Sequence, residues 1–147
     1  MHRPLVALAA VVLAGGVLAA PAHAAKRQTI RLVEHADTDA TTDTGAAGDS
    51  AGDILTFANP VFNHANTKQV AADQGFCIRL VVGQSYECTW TNFLKGGQVV
   101  VQGPFYDTKD STLAITGGTG RYRDARGSMK LHARPDGKSY DFVFRIR

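Results

Sequence analysis

Apolar and polar residues alternate along short segments of this chain, and turn-forming residues separate the segments. The alternation predicts strands over residues 29–35, 53–62, 70–82, 85–93, 98–105, 111–116, 127–134 and 140–146. No segment has the periodicity of an amphipathic helix. Proline cannot donate a ladder hydrogen bond, so the second strand is expected to break at Asn59-Pro60. The pattern therefore predicts an all-β fold.

Short connections between the predicted strands favour a sheet that closes on itself. Closure removes the exposed edges of an open sheet, so we expect an eight-stranded antiparallel up-and-down β-barrel of calycin-like architecture. An immunoglobulin-like sandwich is the alternative, but its paired cysteines lie on separate sheets. Here Cys77 and Cys88 flank one turn centred between Val82 and Gly83, which places them opposite each other on neighbouring strands.

The first 24 residues predict a secretory signal peptide. They combine the basic residues His2 and Arg3, an apolar stretch from Leu5 to Leu18, and a small-residue cleavage site that ends at Ala24. The apolar stretch is too short for a stable membrane span. We therefore expect a secreted, extracellular protein with a single β-barrel domain, residues 25–147. Residues 25–52 supply its first strand and a flexible acidic loop, and residues 53–147 supply the remainder.

The expected export bears on the state of the two cysteines. Cys77 and Cys88 are the only two cysteines, and in an oxidising compartment they predict a disulfide; a free thiol at Cys77 is the alternative. The 16 basic and 13 acidic residues are dispersed along the sequence, without the basic stripe that nucleic-acid binding requires. Because the basic residues form no stripe, we expect no nucleic-acid partner.

The sequence lacks the motifs of metal-dependent or covalent catalysis. His35, His64 and His132 do not have the spacing of metal ligands, so no metal site is expected. The Gly-x-Ser-x-Gly motif of serine hydrolases does not occur. Glycines near position 118 do not complete a dinucleotide-binding fingerprint, because Arg123 stands where its third glycine would be.

Several segments resemble blocks of plant allene oxide cyclases, in the same order and at nearly the same separations. They are residues 51–59 (Ala-Gly-Asp-Ile-Leu-Thr-Phe-Ala-Asn), 75–77, 101–104 (Val-Gln-Gly-Pro), 110–113, 114–120 (Ala-Ile-Thr-Gly-Gly-Thr-Gly) and 140–144. Residues 118–127, which end in Ala-Arg-Gly, are also similar to the signature of plant dirigent proteins. The resemblance covers residues 30–146 and points to the barrel superfamily that these two families share.

The resemblance implies a barrel that is commonly trimeric and has an apolar lumen that moulds a flexible substrate. The cyclases close a fatty-acid-derived allene oxide to a cyclopentenone, and dirigent proteins hold phenoxy radicals for stereoselective coupling. Neither family uses a cofactor, so none is expected here.

The resemblance also assigns candidate catalytic residues. Glu34 aligns with a glutamate in the lumen of the cyclases, and Asn59 aligns with an asparagine that helps to hold a water near the substrate oxygen. Arg126 matches the dirigent arginine that donates to its substrate. We therefore expect Glu34, Asn59 and Arg126 to be catalytic. In an apolar lumen Glu34 would have a raised pKa and serve as a general acid or base, or it would pair with Arg79 or Arg126.

Strand alternation extends the site from the cysteine that aligns with the cavity cysteine of the cyclases. If Cys77 faces the lumen, Arg79 and Val81 face it too. On the neighbouring strand Tyr86 and Trp90 have the same parity as Cys88 and face the lumen with it. The expected ligand-binding residues are Arg79, Tyr86, Trp90 and Phe105, the last at the position of a lumen tyrosine in the cyclases. Core packing is the alternative role for the three aromatic residues.

The opposite parity turns a row of large apolar side chains outward: Phe76, Ile78, Leu80 and Val82. Such a row is costly to expose. We therefore expect either the interface of a homo-oligomer, a trimer or dimer, or a cover formed by the N-terminal loop.

Two functions follow from these expectations. In the first, the barrel binds an apolar small molecule and templates its cyclisation, isomerisation or stereoselective coupling, as an isomerase- or cyclase-like enzyme. In the second, it is an extracellular, lipocalin-like carrier that sequesters a small hydrophobic ligand without catalysis.

Overall fold

Ten strands and one turn of 3₁₀ helix make up the part of the chain that the computed structural model describes, residues 27–147. The strands are β1 (Gln28–His35), β2 (Ala40–Thr42), β3 (Ile54–Phe57), β4 (Pro60–Asn63), β5 (Gln69–Val81), β6 (Ser85–Leu94), β7 (Gly97–Tyr106), β8 (Ser111–Gly118), β9 (Gly127–Ala133) and β10 (Ser139–Ile146). The 3₁₀ turn, Gly120–Tyr122, lies between β8 and β9. The predicted signal peptide lies outside the described residues.

The strands form a closed antiparallel barrel. β1 pairs with β10, the ladder continues through β9, β8, β7 and β6 to β5, and β4 connects β5 back to β1. β3 and β4 occupy one position in this ring, because both pair with β5, at residues 75–78 and 69–72 respectively. The ring therefore has eight positions, and β2 adds a short strand outside it against β3. The predicted eight-stranded antiparallel barrel is confirmed.

The break between β3 and β4 falls where the sequence predicted it. Asn59 is outside both strands, yet its backbone N–H and C=O still pair with those of Asp73, each at 3.0 Å. The chain therefore stays bonded to β5 through the break. The side chain of Asn59 is fully buried there, which fixes its position in the candidate site.

Apolar side chains fill the lumen from one end. Among the least exposed are Val99, Val101, Leu113, Met129, Phe142 and Phe144. Tyr122 and Ala125, from the 3₁₀ turn and the loop after it, are buried against this core together with Ile146. These three residues plug the end where β1 begins and β10 ends. We call it the closed end, and the opposite end the mouth.

The β5–β6 hairpin agrees with the predicted cysteine pairing. Cys77 and Cys88 lie opposite each other in the ladder and form a disulfide. The expectation that Val81 faces the lumen is wrong, since 45% of this residue is exposed. A register shift between Arg79 and Val81 ends the alternation, so Leu80 and Val81 both face outward.

The acidic loop between β1 and β3 has more structure than the sequence suggested. It contains β2, and Asp53 ties it to the barrel by accepting hydrogen bonds from the backbone N–H groups of Thr44 and Ser50, at 3.0 and 2.8 Å. These bonds hold the pKa of the Asp53 carboxyl below its usual range.

The outward apolar row stays uncovered in the single chain. Phe76, Ile78, Leu80 and Val82 are between 37% and 58% exposed. The acidic loop therefore does not cover them. No helix among residues 27–147 is long and apolar enough to cross a bilayer.

We expect this row to be an interface between copies of the chain. Leu80→Lys places a charge in an apolar contact and should convert an oligomer to single chains, which light scattering measures. Thr112→Lys, on the outer face of β8, is the control and should leave the mass unchanged. A wild-type protein that is monomeric at high concentration would contradict the prediction.

The disulfide should contribute about 3 kcal/mol to stability, because it closes a short loop in the unfolded chain. The double variant Cys77→Ala/Cys88→Ala should lose about this much free energy of unfolding in a urea titration. A reductant should destabilise the wild type similarly and leave the double variant unaffected. Equal stability of the oxidised wild type and the double variant would refute this contribution.

Candidate functional site

A cavity of about 80 Å³ lies in the lumen beneath the mouth. Its apolar lining consists of Leu55, Phe57, Cys77, Cys88, Trp90, Phe105, Leu131, Tyr140 and Phe142. Two acidic residues, Glu34 and Asp39, complete the lining. Trp90 and Phe142 are buried whereas Asp39 is exposed, so the cavity extends from the core toward solvent at the mouth. Typical ligand pockets enclose about 300–1,000 Å³, so this one admits a single ring or a short segment.

Aromatic rings give the cavity a fixed shape. Trp90 packs edge-on against Phe57 and tilted against Phe142, with ring centroids 5.8 and 6.0 Å apart. Phe105 meets Tyr140 edge-on at 5.9 Å. The predicted binding residues Trp90 and Phe105 therefore line the cavity and also pack against the core. Lining the cavity and packing in the core, the two roles considered for these residues, are therefore compatible.

Glu34 and Asn59 come together at the polar side of the cavity. Glu34 is 6% exposed, and its Oε1 accepts a hydrogen bond from Asn59 Nδ2 at 2.6 Å. The same Nδ2 donates to Asp39 Oδ1 at 2.8 Å. On its other side, Asn59 Oδ1 accepts from the backbone N–H and the hydroxyl of Thr38, at 2.9 and 3.0 Å. A backbone N–H can only donate, so the Asn59 amide must present its NH₂ group to the two carboxyl groups.

Asp73 is a third acid near this pair. It is 2% exposed, and neither of its carboxyl oxygens has a hydrogen-bond partner among the described residues. Its backbone is bonded to Asn59, and across the ladder it faces the buried Asn92. An unpaired buried carboxylate is very costly, so this environment favours the neutral form of the carboxyl.

Burial controls the protonation of the acids. Burial, the largest cause, and the negative charge of the neighbouring Asp73 together raise the pKa of Glu34 to about 8, against the opposing effect of the Asn59 hydrogen bond. Burial also raises the pKa of Asp73, to about 7. At neutral pH Glu34 therefore carries a proton at the edge of an apolar cavity. A carboxylic acid in this state is a general acid.

Arg79 is engaged elsewhere. Its guanidinium forms ion pairs with Asp49 and Asp107, each at 2.7 Å, and lies 3.7 Å from the centre of the Tyr86 ring. Neither Arg79 nor Tyr86 is among the residues that line the cavity. This cluster instead ties the acidic loop and the β7–β8 loop to the β5–β6 hairpin. The structure thus separates both residues from the candidate ligand site.

Arg126 lies at the opposite end of the barrel from Glu34. Glu34 is paired with Tyr140 near the start of β10, whereas the backbone of Arg126 bonds to Arg147 just beyond the end of β10. The Arg126 side chain is exposed and donates to the carbonyl of Ala125 at 2.7 Å. Arg126 therefore does not reach the lumen site. Neither of the two arginines considered as ion partners contacts Glu34.

Two acids of the site were missed from the sequence. Asp73 shares the parity of Cys77 and Arg79 on β5, so the alternation that placed those residues inside places Asp73 inside as well. Asp39 has no such signal, because it reaches the cavity from an exposed loop. Among residues 27–147 no group of three or more His, Cys, Asp or Glu side chains is placed to hold a metal ion.

Fold and site define a closed β-barrel whose candidate ligand site is an apolar lumen with an acid near the mouth. The chain belongs to the allene oxide cyclase family, whose sequence model matches residues 24–140. The predicted family resemblance is therefore confirmed.

Solved structures of the same fold extend this comparison. A pyocyanin demethylase is 26% identical, with 80% of this chain and 99% of that chain covered and a TM-score of 0.71. A pterocarpan synthase dirigent protein is 17% identical, with 82% and 84% covered and a TM-score of 0.66. A Diels–Alderase from Streptomyces koyangensis is 17% identical, with 82% and 63% covered and a TM-score of 0.69. The last two share the barrel fold with this chain.

The raised carboxyl pKa values predict a barrel that loses stability as the pH rises. Above about pH 4 the folded state holds protons that the unfolded chain releases, up to about pH 7 on Asp73 and up to about pH 8 on Glu34. The free energy of unfolding should therefore fall across this interval, by up to about 1.4 kcal/mol per pH unit for each group. Urea titrations at a series of pH values measure this slope.

Glu34→Gln removes one of the two groups and should make the slope markedly shallower. Glu87→Gln is the matched control, because Glu87 lies on β6 outside the cavity lining. A free energy of unfolding that increases from pH 5 to pH 8 in the wild type would contradict two buried, protonated acids.

Proposed function

We propose that this barrel is a cofactor-free enzyme that cyclises or isomerises a small unsaturated molecule, with Glu34 as the general acid. The observation that carries the proposal is the buried Glu34 carboxyl at the edge of an aromatic cavity, oriented by Asn59 at 2.6 Å. Export from the cell, expected from the sequence, places the reaction in the extracellular medium.

The lining of the cavity limits the substrate. Its acidic side chains are Glu34 and Asp39, Trp90 and Tyr140 add an indole N–H and a hydroxyl, and no basic side chain is present among the described residues that line it. A substrate carboxylate would meet acids and no cation, so the part that enters the lumen is uncharged or positively charged. The volume of about 80 Å³ limits this part to about one ring, and the remainder lies at the mouth.

The chemistry requires one proton to move and return. The O–H of protonated Glu34 donates to an oxygen or nitrogen of the substrate while a ring closes or a double bond shifts. The product then releases a proton to the Glu34 carboxylate, so the cycle is balanced. Proton transfer by a positioned acid contributes about 10²- to 10⁴-fold in rate. Rigid walls of Trp90, Phe105 and Phe142 contribute by holding the substrate near its reactive shape.

Demethylation of pyocyanin or a related molecule is the second candidate function. The structure of a pyocyanin demethylase is 26% identical to this chain, and the match covers 99% of that protein. Pyocyanin is therefore the first compound to test, followed by unsaturated epoxides and dienes.

The test uses the only tryptophan of the chain as a reporter. Trp90 lines the cavity, so a ligand that enters should change its fluorescence. For a compound that is converted, Glu34→Gln should lower kcat by about 10²-fold or more and leave the fluorescence-detected affinity within a few-fold. Glu87→Gln, the same change outside the cavity, should retain full activity.

Other outcomes would overturn the catalytic role. Binding without conversion of any compound by the wild type would identify the barrel as a carrier. Undiminished conversion by Glu34→Gln would remove Glu34 from the mechanism. Ligands recovered with the wild type from culture medium, identified by native mass spectrometry, extend the set of compounds tested.

A further inference from the structure

Folding gathers at the closed end arginines that are scattered in the sequence. One groove there is lined by Arg121, Arg123 and Arg147, and an adjoining groove is lined by Arg27, Arg145 and Arg147. Arg126 is bonded to Arg147 through both backbone groups. All six side chains are exposed. Six of the basic residues that looked dispersed along the chain thus form one contiguous patch, which we call the arginine end.

Few acids neutralise this patch. Asp124 is the one acidic residue that lines either groove, and it pairs with Arg123 at 3.1 Å in an ion pair that is almost fully exposed. Arg145 and Arg147 form no ion pair with another described residue. The six arginine side chains and this one aspartate leave an excess of five positive side-chain charges in the patch.

The loops at the mouth, the other end of the barrel, are acidic. With Arg3 and Lys26 outside the described residues, 14 basic residues face 13 acidic residues, so the barrel is close to neutral overall. The loops at the mouth carry Asp37, Asp39, Asp43, Asp49, Asp53, Asp107, Asp110 and Asp136. The molecule is therefore electrostatically polar along its axis. An extended anionic surface would attract one end and repel the other.

The features of the patch favour a membrane over a nucleic acid. Arginine guanidinium groups bind phosphate with two parallel hydrogen bonds, and each basic residue near an anionic membrane increases the affinity about fivefold. Tyr122, the aromatic residue that lines one of the two grooves, is buried and unable to stack on a base, which disfavours a single-stranded nucleic acid as the partner.

The chain also enters the barrel at this end, because Gln28 pairs with Ile146. The apolar stretch Leu5–Leu18, which precedes it in sequence, is the part of a secretory chain that engages the membrane during export. In the export predicted from the sequence, the arginine end would directly follow the signal peptide and lie close to lipid headgroups as the chain emerges.

We propose that the arginine end binds the surface of a membrane that contains anionic phospholipids, with the mouth facing the solution. The contact is peripheral and electrostatic. It concentrates the barrel at the membrane surface and leaves the entrance to the lumen cavity open to water. This inference does not depend on the reaction proposed for the lumen.

The experiment is sedimentation with lipid vesicles, using protein recovered after export of the full chain. Vesicles of equimolar phosphatidylglycerol and phosphatidylcholine should bind the protein at low salt, and pure phosphatidylcholine vesicles should not. Arg145→Gln/Arg147→Gln should weaken binding roughly 30-fold, because two phosphate-binding charges are lost. The matched control, Lys109→Gln/Lys138→Gln, removes the same charge from loops at the mouth and should bind like the wild type.

Two results together support the proposal: binding of the wild type weakens as the salt concentration rises, and of the two variants only the arginine variant binds more weakly than the wild type at low salt. Three results would overturn it. One is no binding to the anionic vesicles at low salt, and another is equal weakening by the arginine and lysine variants. The third is tighter binding to duplex DNA than to the vesicles.

Discussion

The site depends on the hydrogen bonds that the carboxamide of Asn59 donates to Glu34 and Asp39. Its oxygen is occupied by the backbone N–H and hydroxyl of Thr38, so its NH₂ group has to face Glu34 and Asp39. Pro60 makes this possible, because it breaks the strand and leaves Asn59 outside the regular ladder while the backbone stays bonded to β5. Because proline cannot donate a ladder hydrogen bond, the break at Pro60 places the buried amide of Asn59 between the acids of the lumen.

Closure of the barrel gives these acids their properties. A ring of eight strands leaves a narrow lumen that aromatic rings nearly fill, so water has little access to Glu34 and Asp73. Without water or a cation, each carboxyl group keeps its proton to a higher pH. Burying acids in this way lowers the stability of the barrel above the pKa of the free groups. The disulfide and the Arg79 ion pairs brace the same end of the barrel.

The sequence predicts features that depend on neighbouring residues and not those that depend on remote ones. Alternation and turn residues identify the strands, the Pro60 break, the cysteine pairing and the inward face of β5. The register shift after Arg79 has no sequence signal, so Val81 was assigned to the wrong face. Asp39 and Arg126 lie on connecting segments whose positions depend on the closed barrel as a whole. For the same reason, the arginine end is visible only after the chain has folded.

The distance between Arg126 and Glu34 helps to keep the pKa of Glu34 high. An arginine within hydrogen-bonding reach would lower the pKa of a carboxyl group by about 1–3 units, and Glu34 would then be a carboxylate at neutral pH. The eight residues of β10 separate the two ends by about 24 Å of extended strand, about three times the Debye length at physiological ionic strength. None of the arginines of the closed end is among the charges that shift the pKa of Glu34, so they provide a surface charge with little effect on the acid of the lumen. One small barrel can in this way present cations to an outside partner and still keep a neutral acid inside.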